Sequence, residues 1–283
     1  MVLPPALSPA SSPRRGTLAS LRDSIERVEA HGASGSPRRA ALGHAEVDSA
    51  LHGGLTLGAM HEVFADLGRQ SAAATGFVAG LAGRAAARRP LVWVRQDFTE
   101  IESGALSMSG LAELGFDPRV VVSVRAPDVD SVLRTAADAL ACDAVGVVVL
   151  EVWGEVRQFD LVASRKLTLA AQTSGVTALV LRMAAEPQPS TAETRWMVRA
   201  AHSPPAAAVN PAAPAAAWSA WGEPVFDAQL VRNRHGPVGR WIMEWKCDEC
   251  LFSKPTAYPQ PVAATAAHRS HQTSARTGQR RAS

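Results

Sequence analysis

The chain has 283 residues, 47% of them hydrophobic and 19% charged, with a formal net charge of +3, a balance ordinary for a soluble globular protein with one main domain and tails. No apolar run approaches the ~20 residues of a membrane span, and the opening MVLPPALSPASSPRR lacks the charged start and apolar block of a secretory signal. Three cysteines (Cys142, Cys247 and Cys250) argue against a disulfide framework and predict a reducing, cytoplasmic setting.

The charge is unevenly placed. Residues 254–283 carry Lys254, Arg269, Arg276, Arg280 and Arg281 and no acid; of the 29 basic residues, 24 remain for the rest of the chain, against 26 acidic ones. The body is close to neutral, and the basic excess sits in a Pro/Ala/Ser/Thr-rich stretch over 248–283 whose composition predicts disorder. Such a tail reads either as a non-specific contact with DNA phosphates or as a solvated end.

In chain order, residues 1–16 form a Pro/Ser-rich lead. An amphipathic helix is predicted over 17–31, with Leu18, Leu21, Ile25 and Val28 at helical spacing. Its apolar face suits either a partner's groove or the protein's own core. A Gly/Ser/Pro-containing linker follows over 32–42, and the main domain runs over 43–247. Within that domain the pattern alternates strand and helix: apolar runs at 90–94, 120–124, 145–152 and 175–182, and helical segments after Pro127 and over 157–172. Val129, Val132, Leu133, Ala136, Ala137 and Leu140 make one helical stripe. The run VGVVVLEV at 145–152 suits a parallel strand buried on both faces. Repeated βα units predict an α/β fold with a mostly parallel central sheet flanked by helices. An Ala/Pro-rich insertion occupies 203–217. Residues 224–232 and 238–246 flank Asn233-Arg234-His235-Gly236-Pro237 and predict a β-hairpin.

The stretch GGLTLGAMHEVFADLGRQSAAAT, residues 53–75, has the strand-loop-helix layout of a phosphate-binding loop. That motif needs glycines for close backbone approach, a lysine for the β- and γ-phosphates and a hydroxyl for Mg²⁺. Here Ala65 stands at the first glycine, Gly68 falls inside the loop, and Gln70 takes the second glycine. Ser71 replaces the lysine and Ala72 the metal-binding hydroxyl. A loop so altered lacks the groups that position and activate a triphosphate.

The order of segments from Gly43 to about Lys246 resembles the RecA core. DSALHGGLTLGAMHEV, from Asp48, is similar to the lead-in to the RecA P-loop strand. Residues 145–151 resemble the Walker B strand, and Ser164-Arg165-Lys166-Leu167 the helix after it. The degenerate loop, small size and short basic C-terminus look most like the ImuA family, the RecA-like accessory of the bacterial damage-induced mutagenesis cassette. The resemblance implies a non-catalytic role in the SOS response and translesion synthesis. It also implies work beside ImuB, a polymerase-like protein, and an error-prone replicative-type polymerase, with RecA as a further partner. No cofactor is implied.

The resemblance also assigns positions. Asp97 lies where RecA carries its water-activating glutamate, Glu151 stands for the Walker B carboxylate, and Arg182 replaces the γ-phosphate sensor. Both carboxylates read as polar residues at the rim of the sheet. Residues 183–194 form a short loop without a basic group, so filament-type DNA binding is not expected. The candidate DNA contacts are Arg232, Arg234 and Arg240 on the hairpin, with Arg269, Arg276, Arg280 and Arg281 in the tail. Cys247-Asp248-Glu249-Cys250 is a single C-x-x-C without a second pair, so no metal is assigned. Trp241, Met243 and Trp245 alternate on one strand face, which points to packing. Readings of other classes are a recombinase-type ATPase, a SulA-like cell-division inhibitor and a nucleotide sensor without hydrolysis.

Overall fold

Residues 37–65, 70–204 and 222–255 are described by a computed structural model. The lead over 1–16, the helix expected over 17–31 with Leu18, Leu21, Ile25 and Val28, and Gly68 lie outside these residues. So do residues 205–217 of the insertion and Arg269, Arg276, Arg280 and Arg281.

The body opens with two short strands, β1 (Arg39–Ala40) and β2 (Leu55–Thr56), paired antiparallel around helix α1 (Ala45–Ala50). Gly54 makes this approach work: its φ is +127°, and a Cβ there would lie 2.2 Å from the Ala40 carbonyl oxygen, a position open only to glycine. The linker expected over 32–42 is therefore already structured by Arg39, and Leu42 is fully buried.

The alternating units then follow. β3 (Met60–Ala65) leads to α2 (Ser71–Ala86), and β4 (Leu91–Gln96) to α3 (Asp97–Ser103) and α4 (Met108–Glu113). β5 (Val121–Ala126) leads to α5 (Val129–Leu140), β6 (Val147–Trp153) to α6 (Leu161–Ser174), and β7 (Thr177–Met183) to β8 (Thr194–Ala200). β9 (Val225–Asn233), β10 (Gly239–Lys246) and β11 (Leu251–Ser253) complete the sheet. The strand order is β11-β10-β9-β8-β3-β7-β6-β4-β5. β8, β3, β7, β6, β4 and β5 run parallel, whereas β9, β10 and β11 pair antiparallel. This is the expected α/β architecture of a RecA-like core, with the degenerate-loop strand β3 at its centre and the hairpin β9–β10 on one flank.

The period of two sorts side chains between two cores. On one face Val63, Trp93, Val149, Leu181 and Trp196 pack under α2. On the other, Met60, Val94, Val148 and Val180 pack under α5 and α6. Both faces of β6 are buried, as its continuous apolar sequence requires. Phe77 of α2 meets Trp196, Phe226 and Phe252 at ring-centroid distances of 5.5, 5.6 and 5.3 Å. Small residues let the helix come that close, since a Cβ on Gly80 would sit 2.5 Å from the Phe252 ring.

Three boundaries differ from expectation. α6 starts at Leu161, not 157, because Asp160 is its N-cap and accepts the Ala163 N–H at 2.8 Å. β8 is a full parallel strand beside β3, formed by Thr194 from the end of the expected loop and by residues 195–200, which carried no assignment; Thr194, Trp196 and Val198 alternate inward. The ordered body also runs past 247: β11 pairs with β10, and Phe252 is fully buried. The stretch over 248–283 is therefore not uniformly a tail, because Phe252 has an aromatic pocket to fill.

Candidate functional site

The carboxyl ends of β3, β4 and β6 converge where a P-loop fold would hold its nucleotide. At β3, Ala65 is buried and closes the strand. Gln70 precedes α2 but gives that helix no side-chain cap; its Oε1 instead accepts the Ala200 N–H at 2.9 Å, at the end of β8. Ser71 and Ala72 begin the helix and line a cavity of about 300 Å³ with Thr75, Arg95, Gly104 and Ser107. Its lining is small and mostly apolar. The residues that replace the lysine and the metal hydroxyl bring no charge to it.

Glu151 is not at the rim. It is fully buried on β6 and held from three sides. Arg95 donates from Nε to Oε2 at 2.7 Å and from Nη2 to Oε1 at 2.9 Å, and the Trp93 indole N–H reaches Oε2 at 2.7 Å. Strand register produces this arrangement. Arg95 lies directly opposite Glu151 across the β4–β6 pair, and Trp93 shares the face of Arg95 two residues earlier. Arg95 Nη2 also donates to the Gly104 carbonyl at 3.0 Å, which ties the loop after α3 to the pair. A carboxylate has about four acceptor sites. Three of these are filled by strong donors, so Glu151 has little left with which to orient a metal-bound water.

Asp97 belongs to a different group. It does not end β4 but opens α3, where a carboxylate is favoured by the unpaired N–H groups of the helix start. It accepts from Arg125 Nε at 2.9 Å, and Glu100 lies 3.2 Å from the same nitrogen. The two carboxylates that the P-loop analogy couples thus serve separate arginines, one buried and one exposed.

The opposite face of the sheet holds a second buried charge group. Glu62 accepts from Arg195 Nε at 2.7 Å and from the Ser190 hydroxyl at 2.9 Å. The Phe64 ring lies between the guanidinium groups of Arg195 and Arg182, 5.7 and 5.9 Å from its centroid. Arg182, expected at a sensor position, is buried beneath Phe159 at 5.1 Å and donates to the Gly154 carbonyl at 3.2 Å. Its Nε has no partner. Burial lowers its affinity for the proton, an effect opposed by the charges of Glu62 and Glu155. A guanidinium wedged between two phenyl rings is a packing element rather than an open sensor.

The hairpin cations are largely engaged as well. Arg240 makes a two-point contact with Asp227, with Nε at 2.6 Å from Oδ1 and Nη2 on Oδ2. Arg232 donates to the Ser190 carbonyl at 2.8 Å. Arg234 is exposed, and its backbone N–H bonds Glu193 O at 2.9 Å. The expected basic patch of Arg232, Arg234 and Arg240 is thus reduced, because Asp227 balances Arg240. Cys247 and Cys250 flank the turn into β11. Burial and the neighbouring Glu223 push the Cys247 thiol up to about 12, so the thiolate is disfavoured.

Trp93, Arg95, Glu62, Arg195 and Ser190 were not singled out by motif. For Arg95 and Glu62 a signal was present all the same, a single acid or arginine inside an apolar strand (LVWVRQ and MHEVFA), whereas Trp93, Arg195 and Ser190 carried none. Buried charges require partners. Among the described residues, no helix is long and apolar enough to cross a membrane. Compared with known proteins, the chain matches no protein-family model and no curated sequence.

Proposed function

We propose that this protein is a non-catalytic, RecA-like accessory factor of damage-induced mutagenesis, an ImuA-type protein that brings translesion synthesis machinery together. The observation that carries this reading is the state of the nucleotide edge. Gln70, Ser71 and Ala72 provide no lysine or metal hydroxyl, and Glu151 is bound by Arg95 and Trp93. Phosphoryl transfer on proteins is almost entirely positioning and charge stabilisation, so a fold without those groups keeps its shape and loses the reaction. What remains is surface for partners: an ImuB-type polymerase-like protein, an error-prone replicative-type polymerase, and RecA. Contact with DNA is weak, sequence-blind and carried by the C-terminal arginines.

The test has two arms. The full chain is assayed for ATP turnover with and without single-stranded DNA, and for capture of a purified ImuB-type partner. We expect turnover indistinguishable from buffer together with stable capture. DNA-stimulated hydrolysis that disappears in Glu151→Ala would establish an ATPase and overturn the proposal. Failure to capture the partner, with a folded protein confirmed by its melting transition, would remove the mutagenesis role even if the chain proves inert toward ATP.

A further inference from the structure

β5 is an edge strand: among the described residues nothing pairs with its outer side. Every second residue of such a strand turns its N–H and C=O outward, and natural proteins guard such edges with lysine, proline or a bulge. The sequence Val121-Val122-Ser123-Val124-Arg125-Ala126 contains no lysine or proline, and its pairing with β4 runs without a register shift. Instead the edge presents valines. Val122 is 51% exposed, and Val120, which closes the 3-10 turn Pro118–Val120 ahead of the strand, is 37% exposed. Val124 continues the same face and is half-buried against the α5 side.

In an antiparallel pairing of two copies around a two-fold axis normal to the sheet, opposed residues share a face. Centred on Val122, this pairing sets Val122 against its own copy and Val121 against Ser123. The charges at the two ends of the strand complement each other in the same arrangement. At the start of β5, Arg88, Arg89 and Asp117 line a cavity with Val120 and Val121, and Arg119 beside Asp117 leaves this end with more basic than acidic groups. At its end, Asp97, Glu100 and Asp128 outnumber Arg125. An antiparallel partner brings each basic end, with Arg119 in the 3-10 turn before the strand, against the acidic end that carries Asp97, Glu100 and Asp128. A parallel partner would stack like on like.

We infer that a second copy of this chain docks on β5, joining the two sheets into one through an isologous, charge-complementary edge centred on Val122. The inference is independent of the proposed role in mutagenesis and concerns only how the protein associates. It needs no change in the fold, because Val122 and Arg119 already face solvent.

Sedimentation or light scattering on the full chain at about 50 μM, a range where weak specific interfaces are populated, should give twice the 29.8 kDa chain mass. Val122→Lys sets two like charges face to face on the axis and should return the single-chain mass with an unchanged melting temperature. Arg119→Glu, at a side chain 88% exposed, guards against a folding artefact. It should weaken the dimer about tenfold, as should high salt. In a Cys142→Ser background, Val122→Cys treated with diamide should yield a covalent dimer on a non-reducing gel. A wild-type monomer at that concentration overturns the inference. So does a dimer that survives both Val122→Lys and Arg119→Glu, since its interface would lie elsewhere.

Discussion

Replacing Arg95 with methionine tests the central claim that Glu151 is a structural rather than a working carboxylate. The side chain keeps most of its volume, but Glu151 loses both guanidinium bonds, at 2.7 and 2.9 Å, inside a fully buried site. Removing one partner of a buried pair costs about 3–5 kcal/mol, because the other charge stays buried without compensation. The Gly104 carbonyl also loses its donor, worth about 1 kcal/mol. Against a typical total stability of about 5–15 kcal/mol this is a large fraction, and it should lower the melting temperature by roughly 10 °C or more. The double change Arg95→Met/Glu151→Gln removes both charges yet leaves an amide oxygen for the Trp93 indole. It should recover most of the loss, leaving a coupling energy of at least about 2 kcal/mol. Urea unfolding of the four proteins in the cycle measures this directly. The reasoning fails if Arg95→Met costs less than about 1 kcal/mol, or if the double variant costs the sum of the singles. It also fails if freeing Glu151 gives the single variant an ATPase activity.

Two further outcomes are expected. His61 is fully buried, between the Thr194 hydroxyl at 2.8 Å and the Thr56 carbonyl at 2.8 Å, and burial lowers its pKa from 6.5 to about 4. Between those values the unfolded chain binds the extra proton, so stability is fully present above pH 6.5 and falls as the pH drops toward 4. The loss is about 3 kcal/mol, and pH-dependent urea unfolding should show it shrinking in His61→Gln. A wild-type profile flat from pH 7 to about 4.5 would contradict this assignment. For DNA, Lys254 is engaged with Glu46 at 3.0 Å, which leaves four tail arginines. The log–log salt slope on single strands should therefore be no steeper than about −2.8. Deleting residues 256–283 should flatten it, and an unchanged slope would place the DNA contact on the folded body.

Local pattern made much of this fold legible. The stripe from Val129 to Leu140 became α5, and the apolar run at 145–152 became β6 within a residue or two. The hairpin at 224–246 formed where its turn residues put it. What escaped was set by distant register. β8 is a strand because β3 lies beside it and β9 covers its other edge; taken alone, TRWMVRA mixes charge and apolar side chains. β11 is only three residues long, and the ring pocket around Phe252 explains its order. The charge pairs follow the same logic. Glu151 looks like a Walker B acid from its strand, and becomes an anchored group only when β4 brings Arg95 opposite. Arg182 looked like a sensor from position alone, and Phe64 and Phe159 make it part of the packing.

The β11 contact also governs when this protein can fold. The Phe252 N–H donates to the Leu42 carbonyl at 2.9 Å, so nearly the first and nearly the last residues of the described body are clasped together. The Phe252 ring seals the face of α2, and β3 at the sheet centre awaits β7 and β8 from more than a hundred residues downstream. A chain emerging from the ribosome cannot close this core as it is made; it holds the α2 face open until the last strand arrives. Such non-local closure is slow and leaves apolar surface exposed in the interval. The same clasp, once formed, ties the two ends of the body into one cooperative unit, so a chain cut before Leu251 forfeits α2 packing as well as a short strand.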